Sequence, residues 1–263
     1  MLILFLKLLG APILIAFASL IGKSHGHRSA GLVSGLPVIG GPVILCVWLQ
    51  QGPEFAMNSS YALPGGLFAL SAHLLIFQRL STRCNWVVCL LSGWAAFILV
   101  GALLNYVNLP APVASVLGLS SICVLDLLLP RVTMKMTLPS LGKVELIGRM
   151  LAGLTLVVLI TGLARQVGPL LTGLFTVFPV TGSVMPAFTL ANAGPDAMVV
   201  LLRGYLSGLF GLGVCFVVLA PLIPIMSWWS LLPAAAACML ASLAFSALIH
   251  RNRTEPAIPN AVD

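Results

Sequence analysis

Apolar residues in this chain fall into nine long runs, separated by short connections that hold most of its charged residues. The runs cover residues 2–21, 29–50, 55–78, 86–106, 110–130, 144–164, 168–192, 197–222 and 228–249. A helix needs about 20 apolar residues to cross a hydrocarbon core, and each run is close to that length. The pattern predicts an all-α polytopic membrane protein with about nine transmembrane helices. Trp86 and the Trp228-Trp229 pair sit at run ends, where amphipathic rings meet the headgroups.

The pattern is also written twice, at a constant offset of 142 residues and without a gap. Gly31-Leu-Val-Ser-Gly-Leu-Pro37-Val38-Ile39-Gly40 lies over Gly173-Leu-Phe-Thr-Val-Phe-Pro179-Val180-Thr181-Gly182. Gly52-Pro53-Glu54 lies over Gly194-Pro195-Asp196, and Gly66-Leu67-Phe68 over Gly208-Leu209-Phe210. Ten of the 38 positions from Gly31 to Phe68 are identical, four of them Gly and two Pro. Leu and Val matches are cheap in an apolar chain, but Gly and Pro set backbone shape. Residues 1–22 lie over 143–164, with Lys7 on Arg149 and Ser19 on Thr161. The first run, with Lys7 and Ala16-Phe17-Ala18, imitates a cleavable leader. A leader need not match an internal helix, so it is read as the first span.

Runs one to four form one copy and runs six to nine the other. Five crossings separate equivalent helices, an odd number, so the copies face opposite ways. The expected organisation is two inverted-topology four-helix repeats joined by a central helix. Residues 1–108 are the N-terminal membrane repeat, and 109–142 the connecting helix and a cytoplasmic loop. Residues 143–250 are the inverted repeat, and 251–263 a polar cytoplasmic tail.

Composition agrees with a lipid environment. Hydrophobic residues make up 60% of the chain and charged residues 7%, with mean hydropathy +1.12; a soluble domain carries about 25% charged residues. The net charge of +7 is scattered over run ends, which is no footprint for nucleic acid. With the N-terminus outside, eleven of the thirteen Lys and Arg lie in inner connections, in the tail or in helices that start inside. Lys7 and Arg165 alone fall near the outer side. This is a positive-inside pattern, and it predicts a cytoplasmic C-terminus. The expected location is a bacterial inner (plasma) membrane. The six cysteines lie in or beside apolar runs without a CxxC pair and read as reduced, buried small residues.

Runs two and seven hold the candidate chemistry. Run two contains Gly35-Leu-Pro37-Val38-Ile39-Gly40-Gly41-Pro42, and run seven Pro179-Val-Thr181-Gly182-Ser183-Val-Met-Pro186. Paired prolines should unwind both helices locally. Unwound backbone persists at membrane depth only inside protein or along a wet cavity. The two-fold relation would bring the breaks together near the midplane, where paired broken helices are the pointer to a transport site. The candidate substrate contacts are therefore Pro37, Val38, Ile39, Gly40, Gly41, Pro179, Thr181, Gly182, Ser183 and Arg203. Kinked helices packed through small residues are the plainer alternative.

Ionisable groups within apolar runs are candidates for gating or coupling. Glu54 and Asp196 each follow Gly-Pro, an ordinary helix start. Asp126 lies near the inner end of run five, and Glu145 and Arg149, four apart, are expected to pair. Arg203 stands where the first copy has Tyr61, and His73 where the second has Cys215. Arg203 either pairs with Asp126 or Asp196 or attracts an anion. His73 is either a satisfied core histidine or a proton relay. His25 and His27 lack a third metal ligand.

The chain has no HExxH, GxSxG or Walker motif and no paired Asp-rich motifs, and only six acidic residues. A hydrolase or prenyl-transfer enzyme lacks its catalytic groups here. The leading expectation is a small secondary transporter, without a cofactor, that rocks around crossed broken helices. Its cargo is a small organic solute, with anionic character suggested by helix N-termini and Arg203. Sodium and proton coupling both stay open. A flippase for a lipid or lipid-linked phosphate precursor, and a passive channel or structural subunit, are the alternatives. Expected partners are the small-molecule or lipid-like substrate, membrane lipids and further copies of the chain. In repeat logic alone the pattern resembles inverted-repeat transporters with discontinuous helices, such as sodium/proton antiporters and bile-acid-type symporters. The four-plus-one-plus-four count differs from theirs, and the antiporters' working aspartates have no midplane counterpart.

Overall fold

A computed structural model describes residues 2–36, 48, 52–107, 109–132, 142–164 and 179–252. Every element among them is helical. They are α1 (Leu2–His25), α2 (His27–Gly35), α3 (Pro53–Leu80), α4 (Trp86–Val107), α5 (Ala111–Leu128), α6 (Lys143–Ala164), α7 (Val180–Met226) and α8 (Leu231–Asn252), with a 3-10 turn at Ser227–Ser230 before α8. Among the described residues four stretches are long and apolar enough to cross a membrane: Ala56–Leu80, Trp86–Val107, Ala111–Leu128 and Val180–Leu248. Large apolar side chains such as Leu99, Leu103, Leu127 and Leu240 point outward. Outer faces of that kind suit lipid, and the molecule is compatible with an integral membrane protein.

Proline and glycine set the helix ends. α2 stops at Gly35, and Leu36 is extended (φ −68°, ψ 155°), the conformation that a following proline imposes. The expected break at Pro37–Gly41 itself lies outside the described residues. Gly52 (φ 87°, ψ 172°) precedes α3, and Gly194 (φ 82°, ψ 179°) interrupts α7. Only glycine adopts this backbone readily. In both places Pro follows at the first helical position, then an exposed acid, Glu54 or Asp196. The two matched triplets therefore share one geometry.

One expectation is corrected. The sequence places unwound backbone between Pro179 and Pro186. Instead Pro179 directly precedes α7, and the helix runs through Pro186 to the break at Gly194. A proline inside a helix removes a single donor, leaving the carbonyl four residues earlier without its partner. That carbonyl belongs to Gly182, and another helix supplies the missing donor.

Helices approach closely where glycine leaves room. α2 crosses the second arm of α7 (residues 195–226) through Gly31 and Gly35 on one side and Gly204 and Gly208 on the other. A Cβ at Gly31 would strike the Leu201 carbonyl, and one at Gly204 the Arg28 carbonyl. Gly118 of α5 rests on the Pro64 carbonyl of α3 in the same way, and Gly153 of α6 on Ile15 of α1. The main core gathers side chains from α1, α2, α3, α4, α5, α7 and α8. A second cluster joins Trp48 and Ala56 to Cys215, Phe216, Leu219, Ile223, Ala234 and Cys238. Trp48 stacks on Trp228 at 4.4 Å and 15°.

Candidate functional site

The first turn of α7 is where polar groups converge. The arm from Val180 to Ala193 spans fourteen residues, or about 21 Å at 1.5 Å per residue. That is shorter than the ~30 Å hydrocarbon core. α2 has nine residues and is shorter still. The C-terminal end of α2 meets the N-terminal turn of α7: the Thr181 hydroxyl donates to the Ser34 carbonyl at 3.3 Å. Helix termini leave carbonyls and amides without intrahelical partners, and this bond satisfies one such carbonyl in α2.

Three further side chains close around the same turn. The Tyr205 hydroxyl lies 3.4 Å from Thr181 Oγ1 and rests against Gly182. Trp94 Nε1 of α4 donates to Ser183 Oγ at 2.9 Å. His73 Nε2 of α3 faces the Gly182 carbonyl at 3.4 Å, the oxygen that Pro186 leaves without a donor. The structure thus brings Thr181, Gly182 and Ser183 together with His73, and it places Pro179 immediately before them. Pro37, Val38, Ile39, Gly40 and Gly41 lie outside the described residues.

Arg203 points elsewhere. It is 1% exposed, and its Nη2 donates to the Pro130 carbonyl at 2.7 Å. Pro130 follows the C-terminal end of α5, whose last turn holds the buried Asp126. Arg203 therefore ties α7 to the C-terminal end of α5. Glu54 and Asp196 are exposed in the first turns that follow their glycines, in line with capping. Glu145 and Arg149 do pair, at 2.6 Å. The Arg149 guanidinium also reaches Met185 Sδ at 3.5 Å and lies 5.5 Å from the Phe188 ring centroid. Nearby His27, outside the apolar runs, has its pKa lowered by burial and by the Arg149 charge, with Glu145 opposing. Among the described residues no group of three His, Cys, Asp or Glu side chains is arranged to hold a metal.

Sequence reasoning missed Trp94 and Tyr205. A signal was present. Tyr205 stands where the first copy has Leu63, and Trp94 where the second has Ala236. His73 drew notice through the same asymmetry. Trp94, Tyr205 and His73 all break the internal match and all assemble at the turn, whereas Arg203, which also breaks it, reaches Pro130 instead.

No family model, curated protein or solved structure matches this chain.

Proposed function

We propose that this protein is a secondary transporter of a small organic solute, working by alternating access around two interrupted helices. The observation that carries this reading is the contact between Thr181 and the Ser34 carbonyl. It joins half-helix ends that the repeat predicts to meet, beside hydroxyl, indole and imidazole groups. Main-chain carbonyls and amides at such ends can exchange a protein partner for a cargo at low cost.

Nine crossings in two oppositely oriented units fit the contacts well. With the N-terminus outside, three contacts join parts assigned to the cytoplasmic side. Arg28 donates to the Ser246 carbonyl at 3.0 Å, Arg203 to that of Pro130, and Arg149 lies near His27. Trp48 and Trp228, assigned to the outer side, stack on each other. The shared backbone of Gly52 and Gly194 is what a duplicated unit requires.

The test uses a Thr181→Cys variant in which the native cysteines are replaced. A membrane-impermeant thiol reagent is applied to each side of oriented vesicles. Alternating access predicts labelling from either side, and a trapped one-sided conformer loses labelling from the other. No labelling from one side under any condition would contradict the reading. Once a cargo is known, counterflow separates a carrier from a channel.

A further inference from the structure

His73 lies about three quarters of the way along α3 and is 0% exposed. Its Nε2 faces the Gly182 carbonyl at 3.4 Å. Pro186 has no N–H to give that oxygen, so the ring is its donor and the proton sits on Nε2. Nδ1 is then an acceptor. It lies against Gly93 of α4, so close that a Cβ there would be 2.6 Å away. Among the described residues Nδ1 has no hydrogen-bond partner. The ring also tilts toward Phe77, 6.2 Å between centroids.

Few ionisable groups lie on the packed helices. α3 itself carries Glu54, Tyr61 and Arg79, and α4 carries Cys89 and Tyr106. α5 offers Cys123 and Asp126, and α7 offers Asp196, Arg203, Tyr205 and Cys215. Glu54 and Asp196 are exposed at helix starts. Arg203 is held at the end of α5, and Tyr205 serves Thr181. No carboxylate pairs with the imidazole among the described residues. A second proton on this ring would place a cation in an apolar pocket without a counter-charge, which is strongly unfavourable.

We propose that His73 is a proton-operated pin: neutral, it holds the first turn of α7 against α3 and α4, and protonation at Nδ1 releases that turn. The cation is stable only where water reaches the ring, so acid favours an open crossing. The Gly182 carbonyl, once released, becomes an acceptor for water or cargo. The consequence for transport, a proton as coupling ion, rests on the transporter reading. The pin does not.

The test measures labelling of Val184→Cys in the purified full-length chain with native cysteines replaced, in detergent. Val184 is buried beside the site. Its rate is normalised at each pH to Ser24→Cys, an exposed reference position. Between pH 8 and pH 5.5 the normalised rate should rise about tenfold, because in the open form a hydrated imidazole with the ordinary pKa of about 6.5 is about ten times more often protonated than neutral at pH 5.5, while the closed form takes up no proton. With His73→Gln, or His73→Phe should the first not fold, the rise should vanish. A flat profile in the native background, or an undiminished rise without His73, overturns the pin. Sidedness plays no part in detergent, so failure of the transporter reading appears separately, in the vesicle experiment on Thr181→Cys.

Discussion

The Thr181 hydroxyl lies 3.3 Å from the Ser34 carbonyl, and that contact joins the C-terminal end of α2 to the N-terminal turn of α7. Tyr205 extends it, 3.4 Å from the same hydroxyl. A relay runs from the second arm of α7, through its first turn, to α2. Thr181→Val and Tyr205→Phe should each lower stability by about 1 kcal/mol, the net worth of a typical hydrogen bond. Because they cut one relay, the double variant should lose less than the sum. Thermal or denaturant unfolding of the three variants tests this, and strict additivity would separate the two contacts.

The glycine crossing of α2 on α7 leaves no room for a methyl group. Gly31→Ala and Gly204→Ala should each cost about 1–3 kcal/mol, the usual penalty for overpacking. Gly142→Ala is the control, since a Cβ there meets nothing within 4 Å. Equal melting temperatures for all three would contradict the crossing.

Glu145 holds Arg149 in a partly buried pair. Glu145→Gln keeps the shape but removes the counter-charge, and it should cost about 1–3 kcal/mol. Arg149 keeps Met185 and Phe188 as neighbours, so Arg149→Met should be the milder change of the two. Unfolding midpoints for both variants decide the order.

His27 gives a pH dependence with a fixed sign. Its folded pKa is lowered from 6.5 by burial first and by Arg149 second. The unfolded chain therefore binds a proton more readily than the folded one. The stability contributed by neutral His27 is fully present above pH 6.5 and is lost progressively as pH falls below it. His27→Gln should flatten that part of the stability profile. A profile of unchanged slope in the variant would remove His27 as the cause.

Much of this architecture was legible in the sequence because apolar runs and Gly-Pro pairs act locally. The starts of α3 and of the second arm of α7 follow from Gly52-Pro53 and Gly194-Pro195 alone. The behaviour of Pro186 did not follow. Local chemistry says that a proline breaks a helix, but a donor from another helix, His73, compensates for the lost bond. Arg203 was equally ambiguous, since only tertiary structure shows that it reaches Pro130. Trp94 and Tyr205 were hidden for a different reason. Each looks like ordinary apolar filling until it is compared with its counterpart in the other copy.

The proposed transport site requires the two copies to face opposite ways, and Glu54 and Asp196 report on that orientation directly. Both are exposed, matched, and set behind glycines of the same conformation. Single cysteines at the two positions should react with an impermeant reagent from opposite faces of the membrane, Glu54→Cys from outside and Asp196→Cys from the cytoplasm. Reaction of both from the same face would contradict the inverted arrangement and the transport site built on it.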